Sequence, residues 1–206
     1  VTTSSTPVSA DRLPTLYVRN ASDSDTRVSG NALDILARVV EAEMGSRYEP
    51  EALKAQAVSA YGWLLCSGAA DGKSYPSVPM KNASSKSIEA VKAVAGIVAV
   101  YGGKVAQTFY FDTSAGRTAN AADIWGGNYP YLKSVDSSVD KNSTAYPSTN
   151  TYKASDIQKW VLDAWDIDLS KISDKNSWFK PTYDSNNLYV KEISVGGVTK
   201  RGSHLR

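Results

Sequence analysis

Cysteine and histidine are almost absent from this 206-residue sequence, which contains one of each, Cys66 and His204. A single cysteine excludes an intramolecular disulfide, and the two residues together are too few for a Cys/His metal cluster. A Ser–His or Cys–His catalytic pair is disfavoured as well, because His204 lies close to the end of the sequence. Cys66 follows two leucines on a helical pattern, so we expect a buried structural thiol. The sequence therefore predicts neither a metal site nor a cofactor.

Long apolar runs and clusters of like charge are also missing. No window approaches the roughly 18 consecutive apolar residues of a membrane span. The formal net charge is +2 and the lysines and arginines are scattered, so the sequence gives no reason to expect nucleic-acid binding. A mildly basic surface would suit an anionic polymer. The polar opening stretch VTTSSTPVSA resembles a linker left after signal-peptide removal or trimming, and it indicates export.

The chain is long enough to form one domain with a proper core. We expect residues 1–14 to be flexible and residues 15–206 to form a single domain. Helices are predicted first, then strands, then a helix and a hairpin, which indicates an α+β fold and not a doubly wound sheet. The segment 113–135 is predicted to be a long loop. The predicted elements are a strand at 15–20, helices at 31–44, from Pro50 and at 85–95, a hairpin around Gly102-Gly103, a helix capped by Ser155 and Gln158, and a hairpin around Gly196-Gly197.

The stretch RVVEAEMGSR, residues 38–47, places two glutamates at the end of the first predicted helix. On a helical wheel of about 100° per residue, Glu41 falls on the polar face. Glu43 falls between Leu36 and Val39, inside the apolar stripe. A carboxyl group in apolar surroundings has its neutral form favoured, which raises its pKa toward the range that a general acid needs. The alternative is that Glu43 merely ends its helix at the rim of the core and reaches solvent.

Other reactive groups have weaker support in the sequence. Asp112, Asp123 and Asp136 are candidate partners for a two-carboxylate glycosidase mechanism, but no pattern places them beside Glu43. Ser114 could act as a nucleophile only with a base, and no histidine is available to activate it. Nothing resembles a GxGxxG loop after a strand, which argues against a nucleotide site.

Several motifs, taken in order, resemble the stage II sporulation protein D (SpoIID)/LytB family. ILARVVEAEMGSRYEPEALKAQAVSAYGWLL is similar to that family's signature, in which a valine pair and Glu-Met precede an EALKAQAVAARTYAL-like helix. AVKAVAGIVAVYGG, YFDTSAGRT and DIWGGNYPYLKSV are similar to the blocks that follow, and VTKRGSHLR is similar to the start of the closing block. The resemblance is closest over residues 30–140. The Cys/His zinc-binding segment of some members is missing here, so no zinc is predicted.

This resemblance implies a lytic transglycosylase that cleaves peptidoglycan glycan strands between N-acetylmuramic acid and N-acetylglucosamine, preferably after removal of their stem peptides. The glutamate of the Glu-Met pair is that family's catalytic acid/base, which carries over to Glu43. One carboxyl group suffices because the muramic acid's own 6-hydroxyl captures the oxocarbenium-like centre and leaves a 1,6-anhydro end. The implied location is extracytoplasmic, at the cell wall or the outer face of the membrane.

The other matching positions are expected to shape a cleft between the helical part and the 114–131 loop. The residues expected to bind substrate are Lys54, Gln56, Tyr110, Ser114, Gly116, Thr118, Trp125 and Tyr131. Core packing is the alternative for the aromatic residues, and a solvated helix face is the alternative for Lys54. A hypothesis from a different class also stays open, in which the chain is a non-catalytic peptidoglycan-binding module that recruits or enhances a cell-wall amidase.

Overall fold

The structure is a computed structural model that describes residues 2–3, 9, 12–127, 129–146 and 149–205. Helices and both antiparallel and parallel strand pairs are present, so the α+β class predicted from the sequence is confirmed. The chain divides into two compact units, Val1–Tyr110 and Phe111–Arg206, called here the first and the second unit. Among the described residues, none of the helices is long and apolar enough to span a membrane.

Within the residues that the structure describes, the first unit contains six strands and three helices, and the second contains three strands, two helices and several short 3₁₀ turns. The strands are β1 (Thr2–Thr3), β2 (Thr15–Asn20), β3 (Thr26–Asn31), β4 (Ser77–Val78), β5 (Ala99–Tyr101), β6 (Lys104–Val105), β7 (Phe179–Tyr183), β8 (Val190–Val195) and β9 (Val198–Arg201). The helices are α1 (Ala32–Glu43), α2 (Pro50–Cys66), α3 (Ser85–Ala93), α4 (Ala121–Trp125) and α5 (Ala154–Trp165). The 3₁₀ turns are Ser138–Asn142, Leu169–Lys171, Lys175–Ser177 and Gly202–Leu205.

The main sheet of the first unit has the strand order β3-β2-β4. Burial alternates along the central strand β2, which places Leu16 and Val18 in the core. The strand predicted at 15–20 is thereby confirmed. β3 pairs antiparallel with β2, and β4 pairs parallel with it. Neither of these two strands is predicted by periodicity, because β4 has only two residues and β3 is largely exposed and polar.

The three helices predicted in the first unit are confirmed, and the residues at their N-termini explain where each helix begins. Asn31 caps α1 by accepting a hydrogen bond from the amide of Leu33 at 2.9 Å. Pro50 occupies the first position of α2, where its missing N–H removes no helical hydrogen bond. Ser84 caps α3 through its side-chain oxygen. The helices pack on one another, and α1 also packs on β2 and β3, around a core that includes Ile35, Val39, Val40, Leu53 and Leu64.

Helix α2 passes very close to the segment 106–108 at Gly62. A Cβ atom at this position would lie 2.8 Å from Oγ1 of Thr108 and 3.2 Å from the carbonyl oxygen of Ala106. Thr108 also donates a hydrogen bond to the carbonyl of Ser59 at 2.5 Å, which holds the segment against the helix. Glycine inside a helix usually weakens it, so this one is explained by the close approach that it allows.

A second, smaller sheet in the first unit has the order β1-β5-β6. The turn between β5 and β6 is the predicted Gly102-Gly103 pair, and both residues have positive φ, of 57° and 76°. That conformation favours glycine, which explains the strong hairpin signal in the sequence. The segment 1–14, expected to be flexible, lies largely outside the described residues.

The second unit has its own hydrophobic core, formed by its sheet, α5 and the 3₁₀ turns. The sheet has the order β7-β8-β9 and is antiparallel throughout, with the β8–β9 turn at the predicted Gly196-Gly197 pair. β7 is not predicted, because Pro181 lies within it, and proline is tolerated only in an edge strand such as this one. The core contains Val161, Leu169, Trp178, Ile193 and Val195.

Two local predictions are wrong at helix ends. Cys66 is exposed and not buried, because it is the last residue of α2, and its thiol lies 3.5 Å from the carbonyl oxygen of Val105. The helix expected to have Ser155 as its N-cap begins two residues earlier than that cap implies, at Ala154, and its N-cap Lys153 makes no side-chain cap hydrogen bond. The hydroxyl of Ser155 points instead to the carboxylate of Asp156.

The segment 113–135, predicted to be an irregular loop, contains the short helix α4. Two consecutive alanines, which favour helices, begin it. Gly126 ends it in the left-handed conformation at φ 70° and donates its amide to the carbonyl of Ala122. The prediction of an irregular segment is therefore wrong for these five residues.

Candidate active site

Glu43 is the last residue of α1, and its side chain is exposed. The prediction that it is buried within the apolar stripe is therefore wrong. Leu36 and Val39, which flank it on the helical wheel, are buried, but Glu43, one turn beyond Val39, is exposed. The hydroxyl of Tyr110 donates a hydrogen bond to Oε1 of Glu43 at 3.1 Å. The alternative stated for Glu43, a helix end at the rim of the core, describes its position.

Glu41, predicted to be a surface residue, is half-buried and bound by the fold. Its Oε2 accepts hydrogen bonds from the hydroxyls of Ser84 and Ser87, at 2.6 and 2.7 Å, and from the amide of Ser84 at 3.2 Å. These bonds, first that of the Ser84 hydroxyl and then that of Ser87, hold the pKa of Glu41 below its usual value. Because Ser84 is the N-cap of α3, the contact fastens the end of α1 to the start of α3.

Tyr110 connects Glu43 to the hydrophobic core of the first unit. Its ring is half-buried and packs against that core. Burial, followed by the negative charge of Glu43 and the hydrogen bond to it, raises the pKa of the Tyr110 phenol. The phenol therefore stays protonated and remains a donor. Among the described residues, Tyr110 is the side chain that hydrogen-bonds the Glu43 carboxylate.

Gln56 on α2 lies next to the same phenol and weakly opposes the rise of its pKa. Its Nε2 atom is buried and has no hydrogen-bond acceptor among the described residues. An unsatisfied buried donor costs about 1–3 kcal/mol, and native proteins keep few of them. The structure thus brings Glu43, Tyr110 and Gln56 together.

Lys54 is bound to a neighbour on its own helix. Its Nζ lies 2.6 Å from Oε1 of Glu51, one turn earlier, and that glutamate is highly exposed. An exposed pair of this kind contributes at most about 1 kcal/mol and is readily exchanged for another partner. The solvated helix face, stated as the alternative for Lys54, agrees with this geometry.

Ser114 and Gly116 are buried in a loop of the second unit. The amide of Ser114 donates to Oδ2 of Asp140 at 2.9 Å, and its hydroxyl accepts from the amide of Gly116 at 3.1 Å. Gly116 has a φ of +92°, and a Cβ there would lie 2.8 Å from Cε of Lys141. Both residues therefore shape the loop, and the burial of the Ser114 hydroxyl argues against direct contact with a sugar.

Thr118 and Tyr189 hold the same loop from two sides. The amide of Thr118 donates to the carbonyl of Val135 at 2.9 Å, and its hydroxyl accepts from the Val135 amide at 3.0 Å. Tyr189 donates to the carbonyl of Arg117 at 2.6 Å and accepts from the amide of Ala115 at 3.0 Å. No sequence pattern marks Tyr189, because its contacts join residues more than seventy positions apart.

The two predicted sugar-stacking residues of the second unit have different surroundings. Trp125 ends α4 and is 48% exposed, so core packing does not describe it. Tyr131 is half-buried and meets Tyr129 edge to face, with ring centroids 6.4 Å apart. Within the described ranges, no group of three or more His, Cys, Asp or Glu side chains is arranged to hold a metal ion.

Comparison with known proteins agrees with the motifs. The SpoIID model, described as Stage II sporulation protein, matches residues 31–101, the segment that carries α1, α2, α3 and Glu43. Over 193 residues the chain is 27% identical to stage II sporulation protein D of Bacillus subtilis (strain 168), an alignment that covers 82% of this chain and 54% of the relative. Over 146 residues it is 32% identical to stage II sporulation protein D of Bacillus amyloliquefaciens, covering 59% of this chain and 42% of the relative.

A third relative carries a different name. Over 184 residues the chain is 24% identical to the amidase enhancer of Bacillus subtilis (strain 168), covering 82% of this chain and 25% of that protein. The chain spans about half the length of the two stage II sporulation proteins D that it matches. The resemblance to the SpoIID/LytB family that the motifs predict is therefore confirmed, with residues 31–101 as the matched SpoIID segment.

Proposed function

We propose that this protein is a lytic transglycosylase that cleaves the bond between N-acetylmuramic acid and N-acetylglucosamine in peptidoglycan, with Glu43 as its acid/base. The names of its relatives, stage II sporulation protein D and amidase enhancer, support a function related to the cell wall. The observation that carries the finer proposal is the contrast between two neighbouring carboxylates. Glu41 is engaged by two serines of the fold, whereas Glu43 is exposed and has a phenol donor on one oxygen.

The proposed reaction uses one carboxyl group twice. Protonated Glu43 first donates its proton to the glycosidic oxygen, so that the bond to C1 of the muramic acid breaks and the N-acetylglucosamine leaves with a free hydroxyl. The oxocarbenium-like C1 is then attacked by the 6-hydroxyl of the same muramic acid. The Glu43 carboxylate takes the proton of that hydroxyl, which restores the acid and leaves a 1,6-anhydro ring. No second carboxylate is needed, because no water has to be activated.

The proposal also accounts for an acid that is exposed in the free protein. A glycan strand seated over Glu43 would exclude water from the carboxyl group, and the loss of hydration disfavours its charged form. The bound strand would thus supply the apolar surroundings that α1 does not provide. Tyr110, kept protonated by burial, would hold Oε1 in place and leave Oε2 to face the glycosidic oxygen.

Gln56 supplies the second polar group of the proposed site. Its side chain lies beside the Tyr110 phenol, so it would help to fix the phenol that holds Oε1 of Glu43. Trp125, with half of its surface exposed, has room to stack on a pyranose ring. The remaining candidates for substrate contact are Lys54, Thr118 and Tyr131, whereas Ser114 and Gly116 would act by shaping their loop.

The proposed substrate and location follow from the same family. The substrate would be glycan strands already stripped of stem peptides, and the protein would act outside the cytoplasm, at the cell wall or the outer face of the membrane. A cell-wall amidase, the enzyme class that removes stem peptides, is the proposed partner. This part of the proposal is supported by the similarity to the amidase enhancer.

A second candidate function is a peptidoglycan-binding module that stimulates an amidase without cleaving glycan. The amidase enhancer among the relatives favours it. So does position 61, where the family's helix carries arginine and this chain has a buried tyrosine. The exposed Glu43 with its hydrogen bond from Tyr110 argues against this second function, because a binding module needs no acid at that position.

Mass spectrometry of peptide-free glycan strands after incubation with the protein separates the two functions. The lytic transglycosylase predicts anhydromuramyl ends from the wild type and none from Glu43→Gln. Reducing ends would instead show hydrolysis and require a second carboxylate. Strands that stay intact but are retained by the immobilised protein would establish the binding module and reject the enzyme.

A further inference from the structure

An aromatic groove of about 400 Å³ lies wholly within the second unit. α5, β7 and the 3₁₀ turn Gly202–Leu205 contribute to its walls. The side chains used in the argument are Tyr152, Trp160, Trp165, Phe179 and His204. A groove of this volume falls in the range of small-ligand sites, which are mostly apolar with a few polar groups that orient the ligand.

Two of these rings are far more exposed than packing in a core would leave them. Tyr152 is 57% exposed and Trp160 is 50% exposed. Their rings meet edge to face, with centroids 5.3 Å apart and planes at 79°, so they form a corner whose walls face in two directions. Adjacent large apolar surfaces that stay accessible to solvent mark binding sites in soluble proteins.

The polar groups around the rings select among ligands. Three of the lining residues carry a polar group that can hydrogen-bond a ligand, namely the phenol of Tyr152, the indole N–H of Trp160 and the imidazole of His204. A sugar ring has the matching character, since its C–H groups, polarised by neighbouring oxygens, are attracted to the negative face of an aromatic ring, while its hydroxyls can hydrogen-bond polar groups. A lipid chain or a purely apolar peptide would leave those polar groups unused.

A lysine lies beside the groove without lining it. The ammonium group of Lys200 lies 5.8 Å from the ring centroid of Trp165. Lys159 on α5 is neutralised by Asp163, one turn later on the same helix. A ligand that extends past Trp165 would bring an anionic group toward the positive charge of Lys200.

We propose that this groove is a second glycan site, which binds pyranose rings of a carboxylate-bearing N-acetylated glycan by stacking on Trp160 and Tyr152. The identity of that glycan as peptidoglycan rests on the proposed function, because its muramic acid residues carry the carboxylates that Lys200 would meet. The site would add affinity for the strand and take no part in the chemistry at Glu43.

Isothermal titration calorimetry with peptide-free glycan strands tests the groove directly. The parent for all measurements is Glu43→Gln, so that cleavage does not consume the ligand. The double substitution Trp160→Ala, Tyr152→Ala should weaken binding by about ten- to a hundredfold, at roughly three- to tenfold per stacked ring. Leu162→Ala is the matched control, because Leu162 is also exposed on α5, at 44%, but does not line the groove. It should change affinity less than about twofold, the scatter usual for surface substitutions.

Lys200→Gln and an uncharged ligand test the role of charge. Chito-oligosaccharides, which lack carboxylates, should bind through the rings and be insensitive to Lys200→Gln, whereas muramic-acid strands should bind more weakly. An equal loss for both ligands would overturn the assignment of Lys200 to a carboxylate.

Two results would overturn the glycan site itself. One is unchanged binding by the double variant, or no binding by the parent. The other is a concentration-dependent dimer in analytical ultracentrifugation that Trp160→Ala abolishes, which would make a second copy of the chain the occupant. Failure of the proposed activity is distinguishable, because it shows as the absence of anhydro ends from the wild type whatever the groove binds.

Discussion

Substitution of Glu43 and of Glu41 by glutamine gives a matched pair of variants that separates chemistry from folding. Both residues lie in the last turn of α1, and both lose one negative charge without a large change of volume. Their surroundings differ, since Glu41 is hydrogen-bonded by Ser84 and Ser87, whereas Glu43 is exposed beside Tyr110. Their effects on turnover and on stability should therefore be opposite.

For Glu43→Gln we expect turnover to fall by about 10²–10⁴-fold, the usual loss when a positioned general acid is removed. This corresponds to a barrier higher by about 3–5 kcal/mol. The free energy of unfolding should stay within about 0.5 kcal/mol of the wild type, as for most exposed positions. The glutamine carbonyl can still accept the hydrogen bond from Tyr110, so the local structure is expected to persist.

For Glu41→Gln we expect the reverse. A hydrogen bond to a charged group contributes about 1.5–3 kcal/mol, and a neutral one about 0.5–1.5 kcal/mol. The amide oxygen can keep part of the contact with Ser84 and Ser87, so the free energy of unfolding should fall by about 1–3 kcal/mol. Turnover per folded molecule should change little, because Glu41 faces α3 and not the substrate.

The assay counts anhydromuramyl ends released per minute at a temperature where circular dichroism shows both variants folded. Urea unfolding of the same samples supplies the stabilities. The reasoning is refuted if Glu43→Gln keeps more than about a tenth of wild-type turnover, because removal of a general acid should cost at least about a hundredfold. It is refuted equally if Glu43→Gln destabilises the fold as much as Glu41→Gln does, since Glu43 would then be a structural residue.

Three further predictions concern single interactions in the first unit. Tyr110→Phe should lower turnover by about three- to tenfold with little change in KM, because one hydrogen bond that positions Glu43 is lost. Steady-state kinetics on glycan strands check this. Unchanged turnover would show that the phenol does not hold Glu43 in place. Gly62→Ala should lower the free energy of unfolding by about 1–3 kcal/mol, since the added Cβ would lie 2.8 Å from Thr108 Oγ1. Urea unfolding measures this. A free energy of unfolding higher by about 1 kcal/mol, as helix propensity alone predicts, would contradict the close packing at Gly62. Folding lowers the pKa of Glu41 from its ordinary value of 4.5. The stabilisation that ionised Glu41 contributes is therefore present above that pH and is lost as pH falls through the pKa of the folded state. The difference in unfolding free energy between wild type and Glu41→Gln should narrow below pH 4.5, and a constant difference would rule this linkage out.

The elements that the sequence predicts are those with a strong local signal. Alternation marks β2, the 3.6-residue period marks α1 and α3, Pro50 marks the start of α2, and paired glycines mark both hairpins. The missed elements lack such a signal. β3 has few apolar side chains, β7 contains a proline, and α4 is a short helix among small residues. Their structure depends on pairing with distant strands or on a local cap, which a periodic pattern does not reveal.

The two glutamates show why periodicity alone was insufficient for the site. A helical wheel gives the direction in which a side chain points but not its depth along the helix axis. Glu43 falls on the same side of the wheel as Leu36 and Val39, yet it is exposed at the last residue of α1. Glu41 points to the polar side, where Ser84, the N-cap of α3, binds it. A polar partner from a distant segment leaves no trace in hydrophobic periodicity.

The position of Glu43 is itself an argument that it is kept for function. The C-terminal end of a helix carries a partial negative charge, so a carboxylate there costs about 0.3–1 kcal/mol unless it is compensated. The last turn of α1 has no basic residue. Glu41 is compensated by three hydrogen bonds from two serines, whereas Glu43 receives that of Tyr110. Stability would therefore be served as well or better by an uncharged residue at position 43, and a charge that the fold does not need is most simply explained by the chemistry proposed for it.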